Sequence, residues 1–177
     1  MDTADLRILQ SLQHNARVAN ADMARTCRLA PSTTLERVRR LEDRGVIKNY
    51  RARLDGPSLG FELQAMVMIS LGRHQANPIE GFETAIHALP EVRACYHVTG
   101  RYDYLVQVVV RDITHLRELL TKRLAAIRGV EKEETFIVLS ATKEDEGYPI
   151  GLLTPDDAEK GSPASERKSR RGRRSAP

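Results

Sequence analysis

Apolar positions change their period along this chain. In the first third they recur every three or four residues, and in the middle they fall into short runs separated by polar turns. Leu6, Ile8, Leu9 and Leu12 form a helical stripe that Asp2 and Asp5 can cap and Asn15-Ala16-Arg17 closes. Asn20 is expected to cap a short second helix over Ala21–Cys27, and three residues, Arg28-Leu29-Ala30, lead to Pro31, favoured at a first helical position. A third helix, Pro31 to Arg44, places Leu35, Val38 and Leu41 on one face and stops at Gly45. Two helices joined by so short a link predict a helix-turn-helix. Beyond it, Val46–Leu54 reads as a connecting strand with Tyr50, Ala52 and Leu54 on one side and Arg51 and Arg53 on the other. The turn-rich stretch Asp55 to Gly60 then marks a boundary.

The middle of the chain predicts strand Leu63–Leu71, a helix opened by Asn77-Pro78 with Ile79, Phe82, Ile86 and Leu89 inward, and strand Val92–Thr99. Strand Tyr102–Val110 follows, then a helix capped by Asp112 with Ile113, Leu116, Leu120, Leu124 and Ile127 on one face, and strand Val130–Ala141. The order β-α-β-β-α-β is ferredoxin-like: four strands with helices on one face only. Ala65, Val67, Ile69, Val106, Val108, Val110, Ile137 and Leu139 are expected to supply apolar residues to both faces, so the face without helices predicts sheet-on-sheet homodimers. The fold class is therefore α+β: a winged helix-turn-helix domain at 1–55, a ferredoxin-like domain at 56–150, and a disordered basic tail at 151–177.

Charge sharpens this division. Residues 1–55 carry eleven Lys/Arg against seven Asp/Glu, residues 56–150 ten against thirteen, and residues 151–177 seven against four. Basic ends around an acidic centre suit polyanion contact at the ends. On the third helix, Arg37, Arg40 and Arg44 can pair with guanine or phosphate, and Ser32, Thr33 and Thr34 can approach base edges. Glu36 can accept from a cytosine amino group. Two-fold dimers would set such helices on half-sites about 34–36 Å apart or a multiple of that. No stretch approaches the ~18 apolar residues of a membrane span. The acidic start Met1-Asp2-Thr3-Ala4-Asp5 is unlike a signal peptide, which predicts a cytoplasmic protein with no membrane partner. Cys27 and Cys95 lack metal or disulfide spacing and read as buried thiols.

Asp5-Leu6-Arg7-Ile8-Leu9, Asn15-Ala16-Arg17, the run from Pro31 to Glu42, Gly45-Val46-Ile47, and Val98-Thr99-Gly100-Arg101-Tyr102-Asp103-Tyr104-Leu105 together resemble the Lrp/AsnC family over roughly residues 2 to 145. The resemblance implies a transcription regulator that binds double-stranded DNA and assembles as dimers and higher rings, tetramers or octamers. It also implies an amino acid or related small-molecule effector held between dimers, with no cofactor and no metal. In the family the loop matching Gly100 to Tyr104 and the last strand around Thr135 to Val138 line the effector pocket. Gly100 frees the backbone for close approach, and Asp103 can hold an ammonium group. The effector residues so implied are Thr99, Gly100, Arg101, Tyr102, Asp103, Tyr104, Thr135 and Ile137, and His97, on the strand entering the loop, either reaches the same pocket or is an ordinary sheet histidine. Ala30 stands where the family usually has a capping serine, and Lys143-Glu144-Asp145-Glu146-Gly147 departs from its usual ending. Arg101 replaces an acidic residue, which favours an effector of greater negative charge.

Two other classes compete. Ferredoxin-like sheets also carry enzymes, but His14, His74, His87, His97 and His115 show no metal spacing, and Cys95 with His97 lacks a third partner, so no catalytic residue is predicted. An RNA- or protein-binding adaptor could use the same basic helix. The run Arg167 to Arg174 predicts a basic arm that strengthens salt-sensitive DNA binding or acts only as a solubilising tail.

Overall fold

The computed structural model describes residues 1–72, 78–154 and 157, the side chain of Pro78 excepted. The Asn77 cap, His74 and all of the 167–174 run lie outside these residues. The chain divides into two compact units: Met1–Arg53 with the described residues from Asp145 onward, and Leu54–Glu144. The sequence reading placed 145–150 with the second unit, because Tyr148 to Leu153 has no strand or helix period that would assign it elsewhere.

The first unit is built on helices α1 (Thr3–His14), α2 (Asn20–Cys27) and α3 (Pro31–Asp43). The reciprocal capping box at α1 forms as expected: Asp2 accepts from the Asp5 N–H at 2.9 Å, and Asp5 accepts from the Asp2 N–H at 3.2 Å. Ile8, Met23, Cys27, Val38 and Leu41 make the core, with Leu9, Leu12, Val18, Leu29, Val46 and Ile47 packed against it. Three expectations are corrected. Asn20 is the first helical residue rather than the cap, and its Nδ2 donates instead to the Pro31 carbonyl at 2.8 Å, tying the two helix starts together. Leu35 is 42% exposed and Thr34 takes its place inside, because the threonine hydroxyl is satisfied locally by the Ala30 carbonyl at 3.0 Å. Residues 46–54 form no strand. No neighbouring strand offers them a ladder, and both sides of 51–54 face solvent, although Tyr50 donates its hydroxyl to Glu42 of α3 at 2.8 Å.

The second unit runs β1 (Leu63–Leu71), α4 (Pro78–His87), β2 (Val92–His97), β3 (Tyr104–Val110), α5 (Ile113–Glu118, continued by π-type turns over Leu119–Leu124) and β4 (Val130–Ile137). All neighbouring strands are antiparallel in the order β2-β3-β1-β4, the ferredoxin-like arrangement expected from the element order. Ala65, Val67 and Ile69 of β1 and Val106, Val108 and Val110 of β3 are fully buried beneath Phe82 and Ile86 of α4 and Leu116, Leu119 and Leu124 beyond β3. Strand alternation therefore puts these six strand residues on the covered face alone, where the sequence reading expected the named apolar residues to serve both faces. The helix-free side carries Met66, Met68, Leu105, Val109, Tyr96 and Phe136, of which Tyr96 is 55% and Phe136 48% exposed. Leu139 lies past the end of β4 and is almost wholly exposed. The π-type turns explain another difference. They lengthen the helical step from 119 to 124, so Leu119 joins Leu116 and Leu124 in the core while the expected Leu120 and Ile127 pack against it half-buried; Ile113, in the first turn, is exposed. β2, β3 and β4 are each shorter than expected because the loops at their ends leave the ladder.

Candidate nucleic-acid interface and ligand loop

Thr34, Val38 and Leu41 turn α3 inward, so the helical period sets Ser32, Glu36, Arg39, Arg40 and Asp43 on the opposite, solvent-facing side. Arg39 was not among the sequence-predicted contacts. The signal that could have found it is its spacing of three from Glu36 and seven from Ser32. No side chain caps the α3 N-terminus, where Ala30 occupies the cap position, so the first amide N–H groups beside Ser32 and the half-buried Thr33 stand open to an anion. Thr34 is fully buried, and its expected approach to a base edge is corrected accordingly.

Two of the expected DNA-contacting arginines are committed to the scaffold. Asp5, 1% exposed, accepts from Arg37 Nη1 at 2.8 Å and from Arg40 Nη2 at 3.1 Å, while Arg37 also donates to Asp2 at 2.6 Å. Arg37 is drawn to the flank of α3 with its side chain only 22% exposed, whereas Arg40 keeps 51% exposure and can serve both Asp5 and a partner. The Asp5 N–H, with the Arg37 guanidinium, holds the Asp2 carboxyl below its ordinary range against the opposing effect of burial. Arg44 is the C-terminal cap residue of α3 and half-buried.

In the second unit the nine candidate effector residues do not gather around one cavity. His97, Tyr104, Ile69 and Glu133 form one cross-strand row on the helix-covered side, and Thr135 and Ile137 lie farther along β4 on that same side. Two strand spacings, about 10 Å, and the buried Ile69 separate Tyr104 from β4. Tyr104 is 1% exposed, donates to Glu83 at 3.0 Å, stacks on His97 at a centroid distance of 4.8 Å and meets the tilted Phe82 ring at 4.5 Å. Burial and Glu83 push its hydroxyl up to about 12. His97 and Tyr104 line a groove of about 370 Å³ between α4 and β2, shared with Glu83, His87 and Cys95. Burial, with Glu83, pushes the Cys95 thiol up to about 11, which keeps it protonated.

The loop itself is held firmly. The Asp103 N–H donates to the Ile69 carbonyl at 2.9 Å, its carbonyl accepts from Val98 at 2.9 Å, and its Oδ2 accepts from the Leu71 N–H at 2.7 Å. The carboxylate expected to hold an ammonium group is thus already tying the loop to β1. Gly100 has φ +127°, with open space where a Cβ would stand, so its backbone conformation rather than crowding selects glycine. Thr99 and Arg101 are exposed. Tyr102 donates to Glu134, which raises its hydroxyl pKa, and the Arg101 guanidinium and Lys132 ammonium approach its ring at 5.4 and 5.9 Å. Lys132 and Glu134 are cluster members that sequence reasoning missed. Their position two residues apart on β4, beside Thr135, was the available signal. The arrangement presents two cations, one carboxylate and a phenol at the end of the sheet, a set able to receive a small anion or zwitterion.

Among the described residues, no group of three or more His, Cys, Asp or Glu side chains could hold a metal ion, and no helix is long and apolar enough to cross a membrane.

Comparison with known proteins adds a second line of evidence. A winged helix-turn-helix DNA-binding pattern matches residues 1–48, and the Lrp/AsnC ligand-binding domain matches residues 64–148. The leucine-responsive regulatory proteins of Haemophilus influenzae and Escherichia coli K12 are 38% and 36% identical over 144 residues, 81% of this chain and 87% and 88% of theirs. Among solved structures, a transcriptional regulator from Neisseria meningitidis in complex with L-Met is 32% identical, with a TM-score of 0.83 over 86% of this chain and 99% of its own. AsnC of E. coli is 28% identical, with a TM-score of 0.75 over 81% and 95%.

Proposed function

Because the chain belongs to the Lrp/AsnC family of transcription regulators, we propose that its outward α3 face reads operator DNA and that the 99–103 loop with β4 receives an amino acid or related metabolite. Ser32, Thr33, Glu36, Arg39, Arg40 and Arg44 are assigned to the DNA, with Arg39 replacing Arg37 as the principal guanidinium at the base edges. The observation that carries this reading is the division of α3 itself: one face packed into the core, its N-terminus uncapped, and a polar stripe on the other face. An α-helix with that stripe fits the major groove, where arginine pairs with guanine and short hydroxyls reach bases or phosphate.

Arg101 and Lys132 supply the positive charge for an effector carboxylate, with Glu134, Thr99 and the Gly100 backbone as its remaining polar partners. His97 and Tyr104, on the other side of β3, support the loop rather than touch the effector. Thr135 and Ile137 lie too far from the loop to close a pocket within one chain, so a second copy completes the site. The Met66, Met68, Leu105, Val109, Tyr96 and Phe136 face is the homodimer surface, and dimers pair further into tetramers or octamers. The activity is binding without turnover, in the cytoplasm.

Gel shift and footprinting on the DNA upstream of the protein's own gene, with and without a panel of amino acids and keto acids, test this reading. Sequence-preferring binding that one effector changes is expected. Absence of any duplex preference under every effector overturns it.

A further inference from the structure

The segment after the sheet returns to the helix-turn-helix unit. Gln13, near the end of α1, holds Tyr148 by both of its backbone groups: Nε2 donates to the Tyr148 carbonyl at 2.7 Å, and Oε1 accepts from its N–H at 2.9 Å. Gly147, immediately before it, has φ +93°, and a Cβ there would overlap the Gln13 side chain. Its N–H donates to Asp145 Oδ1 at 2.8 Å, which fixes the approach. Beyond Tyr148 a 3-10 turn, Ile150–Leu152, lies against α1. The Tyr148 and Leu152 side chains are each 82% exposed, so directed hydrogen bonds rather than burial hold the segment in place.

The chain therefore crosses between the two units twice, after Arg53 and after Glu144. Both crossings are short. On the first, Tyr50 donates to Glu42 of α3 at 2.8 Å, and Asp55 accepts from the Ser58 N–H of the 3-10 turn Pro57–Leu59 at 2.8 Å. Tyr50 and Asp55 are five positions apart, a reach of at most about 18 Å. On the second, the Val138 N–H still donates to the Gln64 carbonyl of β1 at 2.9 Å, and ten positions later Tyr148 is on Gln13, a reach of at most about 36 Å. A unit tied at one point can turn about its tether. A second tie, on a different helix, removes much of that freedom and raises the effective concentration of one geometry.

We propose that Gln13 and residues 145–148 are specificity determinants for half-site spacing. By holding the second crossing on α1, they limit how far α3 turns relative to its own sheet unit, so a dimer accepts half-sites in one helical phase only. The inference rests on the DNA-binding and homodimer readings above. Half-sites a whole helical turn apart face the same side of the duplex, and shifting one by half a turn sends it to the opposite side.

The test is gel shift on the footprinted operator and on the same duplex with about 5 base pairs, half a helical turn, inserted between its half-sites. Three full-length proteins are compared: the intact chain, Gln13→Leu and Gly147→Ala. The insertion should weaken binding by the intact protein roughly tenfold or more, and binding by either variant less than about threefold. Both variants should bind the original operator more weakly than the intact protein, because a looser pair of helices loses more freedom on binding, with melting temperatures near that of the intact protein. The same roughly tenfold loss in the folded variants overturns the proposal, as does an intact protein indifferent to the insertion. Failure of the underlying readings looks different: the intact chain shows no duplex preference if α3 does not read DNA, and protects a single half-site if it does not act as a dimer. Because the two variants act from opposite sides of one contact, either suffices if the other fails to fold.

Discussion

The recognition helix and the four-stranded sheet are each buried on one side only, and they differ in what they turn outward. α3 presents Ser32, Glu36, Arg39 and Arg40, while the sheet presents Met66, Met68, Leu105, Tyr96 and Phe136. A polar, guanidinium-bearing stripe keeps its hydration until it meets an equally polar partner, and an apolar face of this kind is stabilised when covered. The two units also handle internal charge differently. In the first, the buried Asp5 gathers arginines from α3 and welds that helix to α1. In the second, Glu91 Oε1 is bridged by His115 and Arg123 at the edge of the core, whereas Glu133 has no ion pair, and the buried Oε2 of each glutamate has no hydrogen-bond partner among the described residues. The comparison teaches that an arginine on a recognition helix can be scaffold, and that a buried carboxylate can stabilise or cost according to its partners.

Charge placed on the sheet face should make it behave like the helix face. The pair Met68→Asp and Phe136→Asp should weaken self-association at least about a hundredfold by burying unpaired charge, read by sedimentation, with melting of the first unit unchanged. Next, Asp5→Ala should cost the first unit about 3 kcal/mol, the low end for a broken buried pair because its arginines reach solvent. It would be seen as a lower melting temperature with the sheet unit unaffected.

The acid behaviour of the two glutamates should differ in sign. For Glu91, burial opposes ionisation, but its own backbone N–H, His115 and Arg123 hold its carboxyl below the usual 4.5. Its stabilisation is present above pH 4.5 and is lost as pH falls through the lower folded value. Burial raises Glu133 above 4.5, so its ionised form costs stability at neutral pH, and the penalty is relieved as pH falls toward the unfolded value. Glu133→Gln should therefore raise the melting temperature at pH 7, and Glu91→Gln should lower it and flatten the acid limb. The smallest effect is expected at Arg28, held at φ 58° in the α2–α3 turn. Arg28→Gly should stabilise by about 1 kcal/mol at most, by thermal melting.

What the sequence disclosed follows the range of the interactions involved. The α1 capping box, the Pro31 helix start and the β-α-β-β-α-β order depend on neighbours within a few residues and were legible. The roles of Arg37 and Asp103 were not, because Arg37 meets Asp2 and Asp5 from 35 and 32 residues away, and Asp103 meets Leu71 from 32. The bare sheet face was inferred from apolar residues expected to serve both faces, but those named on β1 and β3 share one parity and all lie on the covered side. The addition of Leu119 to that core depends on π-type turns that no local spacing announces. The return of residues 145–153 to α1 hangs on a glutamine 135 positions away from Tyr148.

If α3 reads DNA with its outward stripe while Arg37 holds the scaffold, removing Arg39 should weaken operator recognition and leave the fold intact. The direct measurement is the affinity of Arg39→Ala for operator and scrambled duplex, at fixed salt and with melting temperature checked. Roughly tenfold weaker operator binding, a smaller change on scrambled duplex, and an unchanged melting temperature are expected. An operator affinity equal to that of the unmodified protein in a folded Arg39→Ala variant would contradict it.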